Sequence, residues 1–457
     1  MHMYPRVGVS LRLLFSRAGS SPRAGADGET MPRAARSPAR RRPPAPATKC
    51  TAWELASLGS LGNLRQNDSA VPEPEDDQVV VGVRAIGLNF ADVFCCLGLY
   101  EAANAVHEEG GGRPFCPGLE MAGVALAVGS KVKSIRPGDR VFGFSRFGCY
   151  KTVVVQREAL IRPIPAGWSF AEASALLCTG LTAWHGMCCL GAMAEGSRVL
   201  VHSAAGGVGT AAMQIATSLR CSVVGVVGSE AKAEWLRRRF PKAEVVVRGP
   251  EKGYAKVLAS LPGGGTFDLV LDALGGKYFT AGLEALRPMG RIVHYGATYS
   301  YGGAGDGLLK WLTLVPGHLG RPSVDPGALI STNRSVMGFN LIWLTAREEL
   351  LMAQMEEMLE RGGLASRPPA VGKTFDFDEM PAALAYLNSG NSVGKVVVQV
   401  RGEDGEEAEP AVVAAVPEPA RAMGVAGWLA WAGAAVAFGA YAYVGYMLEC
   451  KYTRAGC

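Results

Sequence analysis

Arg198-Val-Leu-Val-His-Ser-Ala-Ala-Gly-Gly-Val-Gly-Thr-Ala-Ala-Met-Gln-Ile-Ala216 is the stretch that decides the fold. An apolar run of strand character, Arg198–His202, enters a glycine-rich turn, and the turn opens a helical pattern over Thr210–Leu219. Ala204, Gly206 and Gly209 hold the three small-residue places of a GxGxxG pattern, with Ala for the first Gly. Small residues there let the backbone approach a pyrophosphate, and the N–H groups and positive dipole end of the helix start favour its charge. A glycine-rich turn alone is a weak signal. Strand, turn, helix and a second strand in order make it a dinucleotide site lined by Ala205, Gly206, Gly207, Val208 and Gly209.

The second strand, Ser222–Val227, bears on the cofactor. NAD-binding chains usually place an acid near its end for the ribose 2′-hydroxyl. Here the chain reads Gly228-Ser229-Glu230-Ala231-Lys232. Ser229 and Lys232 suit a 2′-phosphate by hydrogen bond and charge, which favours NADPH. Glu230 would repel that phosphate if it pointed inward, and Lys232 also reads as an ordinary solvated helix residue.

The alternation continues on both sides. Phe170–Leu190 reads as a helix, then Lys232–Arg239 as a helix and Glu244–Val247, Phe267–Asp272, Arg291–Tyr295 and Ser335–Asn340 as strands. Near-continuous apolar runs mark strands covered on both faces, hence an α/β fold with a doubly wound parallel sheet. Before it, Val79–Ile86, Gly118–Val128 and Arg140–Phe144 read as short strands split by turns. After it come a helix at Ala346–Arg361, a strand or turn and then a helix over Phe375–Leu387, and a strand at Gly394–Val400. The β-rich sequence therefore brackets the α/β unit. The expected domains are a discontinuous β-rich one, 49–174 and 345–400, with a nucleotide domain, 175–344, inserted. Tyr299–Asn333 reads as a long Gly-rich loop with a short helix near Leu308–Leu314.

The charge is unevenly spread. Residues 1–50 carry nine Arg and Lys49 against Asp27 and Glu29, while the other 407 residues carry 36 bases and 39 acids. The body thus offers no basic footprint for nucleic acid. The leader, residues 1–48, is Arg- and Ser-rich and acid-poor, as in a transit peptide; a basic disordered tail has the same composition. An acidic and Pro-rich linker, 401–421, leads to Ala422–Leu448, 27 residues without a charge. About 20 apolar residues span a bilayer, so this segment reads as a C-terminal transmembrane helix. The expected location is accordingly membrane-anchored, in a chloroplast or mitochondrion or as a cytosol-facing tail anchor. The 11 cysteines are odd in number and form no CxxC pair, which argues against a disulfide framework. The six His lack ligand spacing to cysteines, so no metal site is expected.

Several segments together resemble the medium-chain dehydrogenase/reductase superfamily, in its zinc-free quinone oxidoreductase branch, which includes zeta-crystallin and the vesicle amine transport protein homologues. They are Gly87-Leu-Asn-Phe-Ala-Asp92, Gly98-Leu-Tyr100, Pro117-Gly-Leu-Glu-Met-Ala-Gly123, Val128-Gly129, Gly138-Asp-Arg-Val141, Leu181-Thr-Ala183, the Ala204–Gly209 turn, Asp272-Ala-Leu-Gly-Gly276, Gly290-Arg-Ile-Val293 and Val393-Gly-Lys395. Gly338-Phe-Asn340 and the tail segment lean towards the vesicle-protein subgroup. The resemblance implies a GroES-like catalytic domain beside the Rossmann domain. It also implies a nucleotide domain able to pair two copies in a homodimer. Where zinc enzymes of the superfamily carry a metal-binding Cys and His, this chain has Asn89 and Leu119, so metal catalysis is not expected.

The resemblance places Asn89 beside the nicotinamide and Tyr100 in the active-site cleft as the catalytic candidates. An amide can hydrogen-bond a carboxamide or carbonyl, and a phenol can donate to a developing enolate or quinol oxygen. Asn89 also reads as a turn residue and Tyr100 as a rim aromatic. The resemblance puts Thr182 near the nicotinamide, and His294, Gly296, Ala297 and Phe339 along the cofactor cleft. His294 reads equally as a satisfied strand residue. Asp92 reads as a helix cap and Cys95, Cys96 and Cys116 as packing residues. Ala102–Cys116, with Gly110-Gly111-Gly112, reads as an extended loop, either a lid or a surface insertion. The expected activity is NADPH-dependent reduction of a small quinone or α,β-unsaturated carbonyl such as an enal. The alternative is a catalytically weak NADPH-binding membrane protein with a lipid-interaction or organelle-organising role.

Overall fold

The computed structural model describes residues 49–296 and 321–401. The expected leader, linker, transmembrane helix, Ala297 and the short helix near Leu308–Leu314 lie outside the described residues. In chain order the strands are β1 (Lys49–Leu55), β2 (Leu64–Ala70), β3 (Gln78–Leu88), β4 (Glu120–Val128), β5 (Arg140–Phe144), β6 (Val153–Arg157), β7 (Ile161–Pro163), β8 (Arg198–Val201), β9 (Ser222–Val227), β10 (Glu244–Val247), β11 (Phe267–Asp272), β12 (Leu286–His294), β13 (Ser335–Gly338), β14 (Val371–Asp376) and β15 (Lys395–Gln399).

Strands β8 to β13 form a six-stranded sheet of order β10-β9-β8-β11-β12-β13. Every pair in it is parallel. Its Val- and Leu-rich strands lose both faces to helices, which is why their sequence shows no alternation. Helices Gly207–Ser218 and Glu230–Arg239 link β8 to β9 and β9 to β10. Helices Glu251–Ala259 and Gly276–Glu284 link β10 to β11 and β11 to β12. The strand order turns back between β8 and β11. Ligands bind at such a switch point, outside the carboxyl ends of the strands.

The second sheet has seven strands, in the order β14-β15-β3-β4-β5-β7, with β6 also paired to β3. The chain leaves it after β7 and returns with β15, antiparallel to β3, Val396 opposite Leu88. That return places the start of β15 against the glycine turn. Gly394 N–H donates to the Ala205 carbonyl at 2.7 Å. Gly394 has φ +63°, and a Cβ there would lie 2.4 Å from the Ala370 carbonyl oxygen, so no larger residue fits.

The structure departs from the sequence reading in several places. Ala102–Cys116 is not an open loop: Glu101–Glu109 is a helix, with Ala102 and Ala103 buried. Only Gly110–Gly112 forms the turn, with φ +67° at Gly111 and +74° at Gly112. The run Phe170–Leu190 divides into helices Phe170–Ala173 and Leu177–Trp184 and a π-helical turn, His185–Leu190. Among the described residues it is the one helical run long and apolar enough to cross a membrane, and it is mostly buried inside the fold, as in a core helix. The helix expected from Thr210 starts at Gly207, because the turn's own residues form its first turn. The strand expected over Ser335–Asn340 stops at Gly338, and Asn340 caps the 3-10 segment Leu341–Ala346. The β1–β2 hairpin had no sequence signal, since β2 is polar and exposed after Leu64.

Candidate functional site

Because β8, β11, β12 and β13 are parallel and adjacent, their carboxyl ends share one edge. That edge carries the glycine turn after β8, Asp272, His294 to Gly296, and Phe339 with Asn340. At the turn, Gly206 caps helix Gly207–Ser218 with extended backbone and leaves the first N–H groups of a 12-residue helix exposed to a ligand. A Cβ at Gly209 would lie 2.3 Å from the Ser203 carbonyl oxygen, so glycine is what lets helix and strand close together. A Cβ at Gly207 would meet Thr179 Cγ2 at 2.8 Å.

At the end of β9, Ser229 caps the next helix, its hydroxyl accepting from Lys232 N–H at 3.4 Å. Lys232 Nζ donates to the Gly390 carbonyl at 2.7 Å. Burial, then the nearby Arg248 charge, pushes the Lys232 ammonium down to about 8. Arg248 follows β10, bonds through its backbone to Val227, and lies against Gly228, where a Cβ would sit 3.3 Å from its Nη1. Glu230 does not point into this cluster, because its carboxylate accepts from Arg237 Nη1 at 2.5 Å on its own helix. Two cations thus gather beside Ser229, and Arg248 had not been picked out in the sequence.

Behind the turn is a buried ionic group. Lys395 Nζ lies 2.7 Å from Glu120 Oε1, with the side chains 4% and 1% exposed. It also donates to Asn89 Oδ1 at 2.5 Å. Asn89 Nδ2 donates to Glu120 Oε1 at 3.0 Å and to the Gly87 carbonyl at 3.2 Å. Glu120 Oε2 accepts from Cys178 N–H at 2.9 Å. The Asn89 amide is therefore spent on its neighbours and orients them. Its backbone N–H donates to Asp92 Oδ2 at 2.8 Å, so Asp92 does cap the helix start. Thr182 is buried with its hydroxyl donating to the Cys178 carbonyl at 2.7 Å, one turn back on its own helix.

Tyr100 bridges to the other lobe: its hydroxyl donates to Asn340 Oδ1 at 2.7 Å. Burial raises its phenol, which stays protonated at neutral pH. Its ring meets Phe147 edge-on at 6.4 Å. Phe339 stacks near His185, 4.9 Å between centroids, and its N–H donates to the His294 carbonyl. Asp272 accepts from Nδ1 of His202 at 2.5 Å and of His294 at 2.7 Å, and from Leu274 N–H at 3.0 Å. His202 Nε2 meets the Tyr254 hydroxyl at 2.8 Å. His294 is thus tied to the strand edge by Asp272. Burial pushes the Asp272 carboxyl up, but the bonds from His202 and His294 outweigh it and hold the group below the usual carboxylate range.

Glu120 and Lys395 lie far apart in the sequence, and the motifs that hold them do not by themselves pair them. The signal was an acid and a base each interrupting an apolar strand, since buried charges must find partners.

Two lobes joined at a nucleotide cradle define a dinucleotide-dependent dehydrogenase or reductase. Residues 75–195 match the family described as alcohol dehydrogenase GroES-like domain, and residues 207–351 the one described as zinc-binding dehydrogenase. The human synaptic vesicle membrane protein VAT-1 homolog is 31% identical over 335 residues, 73% of this chain and 82% of that one. A highly reducing polyketide synthase of Alternaria alternata is 30% identical, but the chain spans only 12% of its length. A Streptomyces orinoci polyketide synthase system protein is matched over 14% of its length. Among solved structures, a Pseudomonas syringae quinone oxidoreductase superposes with TM-score 0.63 at 26% identity, covering 77% of this chain and 99% of that one. The CurK enoyl reductase gives TM-score 0.63 at 28% identity, with the same coverage. The mycobacterial protein Rv1454c, solved with NADPH, gives TM-score 0.63 at 26% identity over 77% of this chain and 99% of that one. The chain belongs to the zinc-free quinone oxidoreductase branch of the medium-chain dehydrogenase/reductase oxidoreductases, alongside the VAT-1 homologues.

The donor set does not fit a zinc ion. Asn89 and Glu120 both face the Lys395 ammonium, which occupies the place of a cation. Among the described residues no group of three or more His, Cys, Asp or Glu gathers at metal-binding geometry. The cradle does fit a dinucleotide: a strand–turn–helix closed by Gly209, with the cations Lys232 and Arg248 beside Ser229 at the end of β9.

Proposed function

We propose that the protein is an NADPH-dependent reductase of quinones or α,β-unsaturated carbonyl compounds that works without zinc. NADPH, when bound, supplies the hydride. The residues that would hold it are Ala205 to Gly209 at the pyrophosphate and Ser229, Lys232 and Arg248 at the 2′-phosphate. The observation that carries the reading is the Tyr100 phenol, bonded to Asn340 at the edge that also bears the glycine turn. A phenol so placed donates to the substrate oxygen as negative charge develops on it. Asn89, Glu120 and Lys395 fix the wall behind the turn. Phe115, Phe147 and Phe339 supply apolar surface that excludes water. The similarities to a quinone oxidoreductase, an enoyl reductase and an NADPH-complexed relative support the same reading.

The test is NADPH oxidation by the full-length protein with simple quinones and enals, NADH run alongside. Turnover with NADPH and a weaker rate with NADH is expected; no turnover across both classes overturns the reading. The kinship with VAT-1 homologues supports a second one, in which NADPH binds but turnover is slight and the protein acts at a membrane. The uncharged run 422–448 supports anchoring, and residues 1–48 support targeting to an organelle. The proposal extends to pairing of two copies through the nucleotide domain, which analytical ultracentrifugation would test.

A further inference from the structure

Tyr100 is bracketed by two contacts that join the β-rich lobe to the segment after β13. One is its own bond to Asn340. The other lies three residues further along: the Arg146 guanidinium stands over the Trp343 ring, 5.8 Å from its centroid. Arg146 directly precedes Phe147, whose ring rests against Tyr100. The Arg146–Trp343 pair therefore sits beside the Tyr100–Asn340 bond.

Both partners face water. Trp343 is 50% exposed, one of few large apolar side chains left so open among the described residues. Arg146 is exposed and, among the described residues, has no carboxylate within ion-pair distance. Other arginines of the fold do have one: Arg157 meets Asp77 and Glu348, and Arg162 meets Glu356. A guanidinium held near an aromatic ring with no carboxylate partner keeps its N–H fork available, and that fork can grip two oxygens of one anion. An exposed cation–π contact is weak, so it orients the guanidinium without locking it. The exposed indole beside it offers a flat apolar platform.

We propose that Arg146 and Trp343 form an anion-recognising subsite beside Tyr100. The favoured substrates are then planar conjugated carbonyl compounds with a carboxylate, sulfonate or phosphate remote from the reacting carbon. This rests on the reductase reading and narrows its substrate class. Trp343 packs on the conjugated body, and Arg146 takes the anionic group.

The probe pair is 1,2-naphthoquinone and 1,2-naphthoquinone-6-sulfonate, whose sulfonate lies on the far ring, assayed with NADPH on the full-length protein. The quantity read is kcat/KM for the sulfonate divided by that for the neutral quinone. Arg146→Ala is expected to lower this ratio about tenfold, the loss of one charge-assisted contact. Arg146→Lys is expected to fall between, since it keeps charge without the fork. Trp343→Leu raises KM for both quinones, and added salt shrinks the wild-type ratio. An unchanged ratio in both Arg146→Ala and Arg146→Glu overturns the proposal. If neither quinone is reduced, the reductase reading fails by itself. Titration of tryptophan fluorescence with the sulfonate then decides, and equal affinity in wild type and Arg146→Ala overturns the subsite.

Discussion

The Lys395 ammonium lies 2.7 Å from the Glu120 carboxylate where both side chains are shut away from water. Lys395 opens β15 and Glu120 opens β4, so this one pair ties the returning chain to the first lobe beside the glycine turn. Removing either partner leaves a buried charge alone, which typically costs about 3–5 kcal/mol. Lys395→Met and Glu120→Gln are each expected to lose that much in urea unfolding. The double variant is expected to lose less than the sum, because it leaves no orphaned charge. Additive losses would show that the two act separately.

Lys232 and Arg248 give the cofactor preference a pH dependence. The Lys232 ammonium is held down to about 8, so it loses its proton as pH rises through that value. A bound 2′-phosphate stabilises the charged form and draws a proton back. NADPH binding near pH 8 is therefore expected to take up protons, and NADH binding is not. Calorimetry in buffers of different ionisation heat reads this directly. The ratio of NADPH to NADH affinity should fall between pH 7 and pH 9. Lys232→Ala and Arg248→Ala should each cut NADPH affinity about tenfold or more and change NADH affinity little.

The nucleotide half of the fold was legible because its strands are apolar on both faces and its turn has a fixed chemistry. Arg198 to Ala216 and Ser222–Val227 announced themselves for that reason. The β1–β2 hairpin did not, since β2 is nearly all exposed and its pairing from Lys49 with Ala70 to Leu55 with Leu64 is set by the backbone. The helix Glu101–Glu109 was hidden by the glycines that follow it, although Ala102, Ala103 and Ala105 favour helix. Tyr100 and Asn89 could be named, but not their partners. Asn340 and Lys395 reach them across 240 and 306 residues of sequence, a separation that only the closed fold removes.

Tyr100→Phe removes the hydroxyl and keeps the ring against Phe147. If the phenol donates to the substrate oxygen, kcat should fall about 10²-fold or more with KM little changed, as for loss of one general acid. Asn340→Ala frees the hydroxyl without removing it and should cost much less. A solvent isotope effect on kcat that is present in wild type and lost in Tyr100→Phe would separate proton donation from a packing role.

Asp92 works in the opposite sense to Asp272. Burial pushes its carboxyl up to about 7, against the pull of the Asn89 N–H, the Lys395 charge and the Tyr150 hydroxyl. Its unfolded value is the ordinary 3.8. Between these two values the folded chain binds the proton and the unfolded chain does not, so stability falls as pH rises from about 4 to 7 and then levels off. The slope from this group is at most about 1.4 kcal/mol per pH unit. Asp92→Asn keeps an acceptor for the Asn89 N–H and cannot ionise. It should match wild type near pH 4 and become progressively more stable than wild type towards pH 7. Urea unfolding across that range checks it, and a constant difference between the two proteins would mean that Asp92 does not titrate in the folded state.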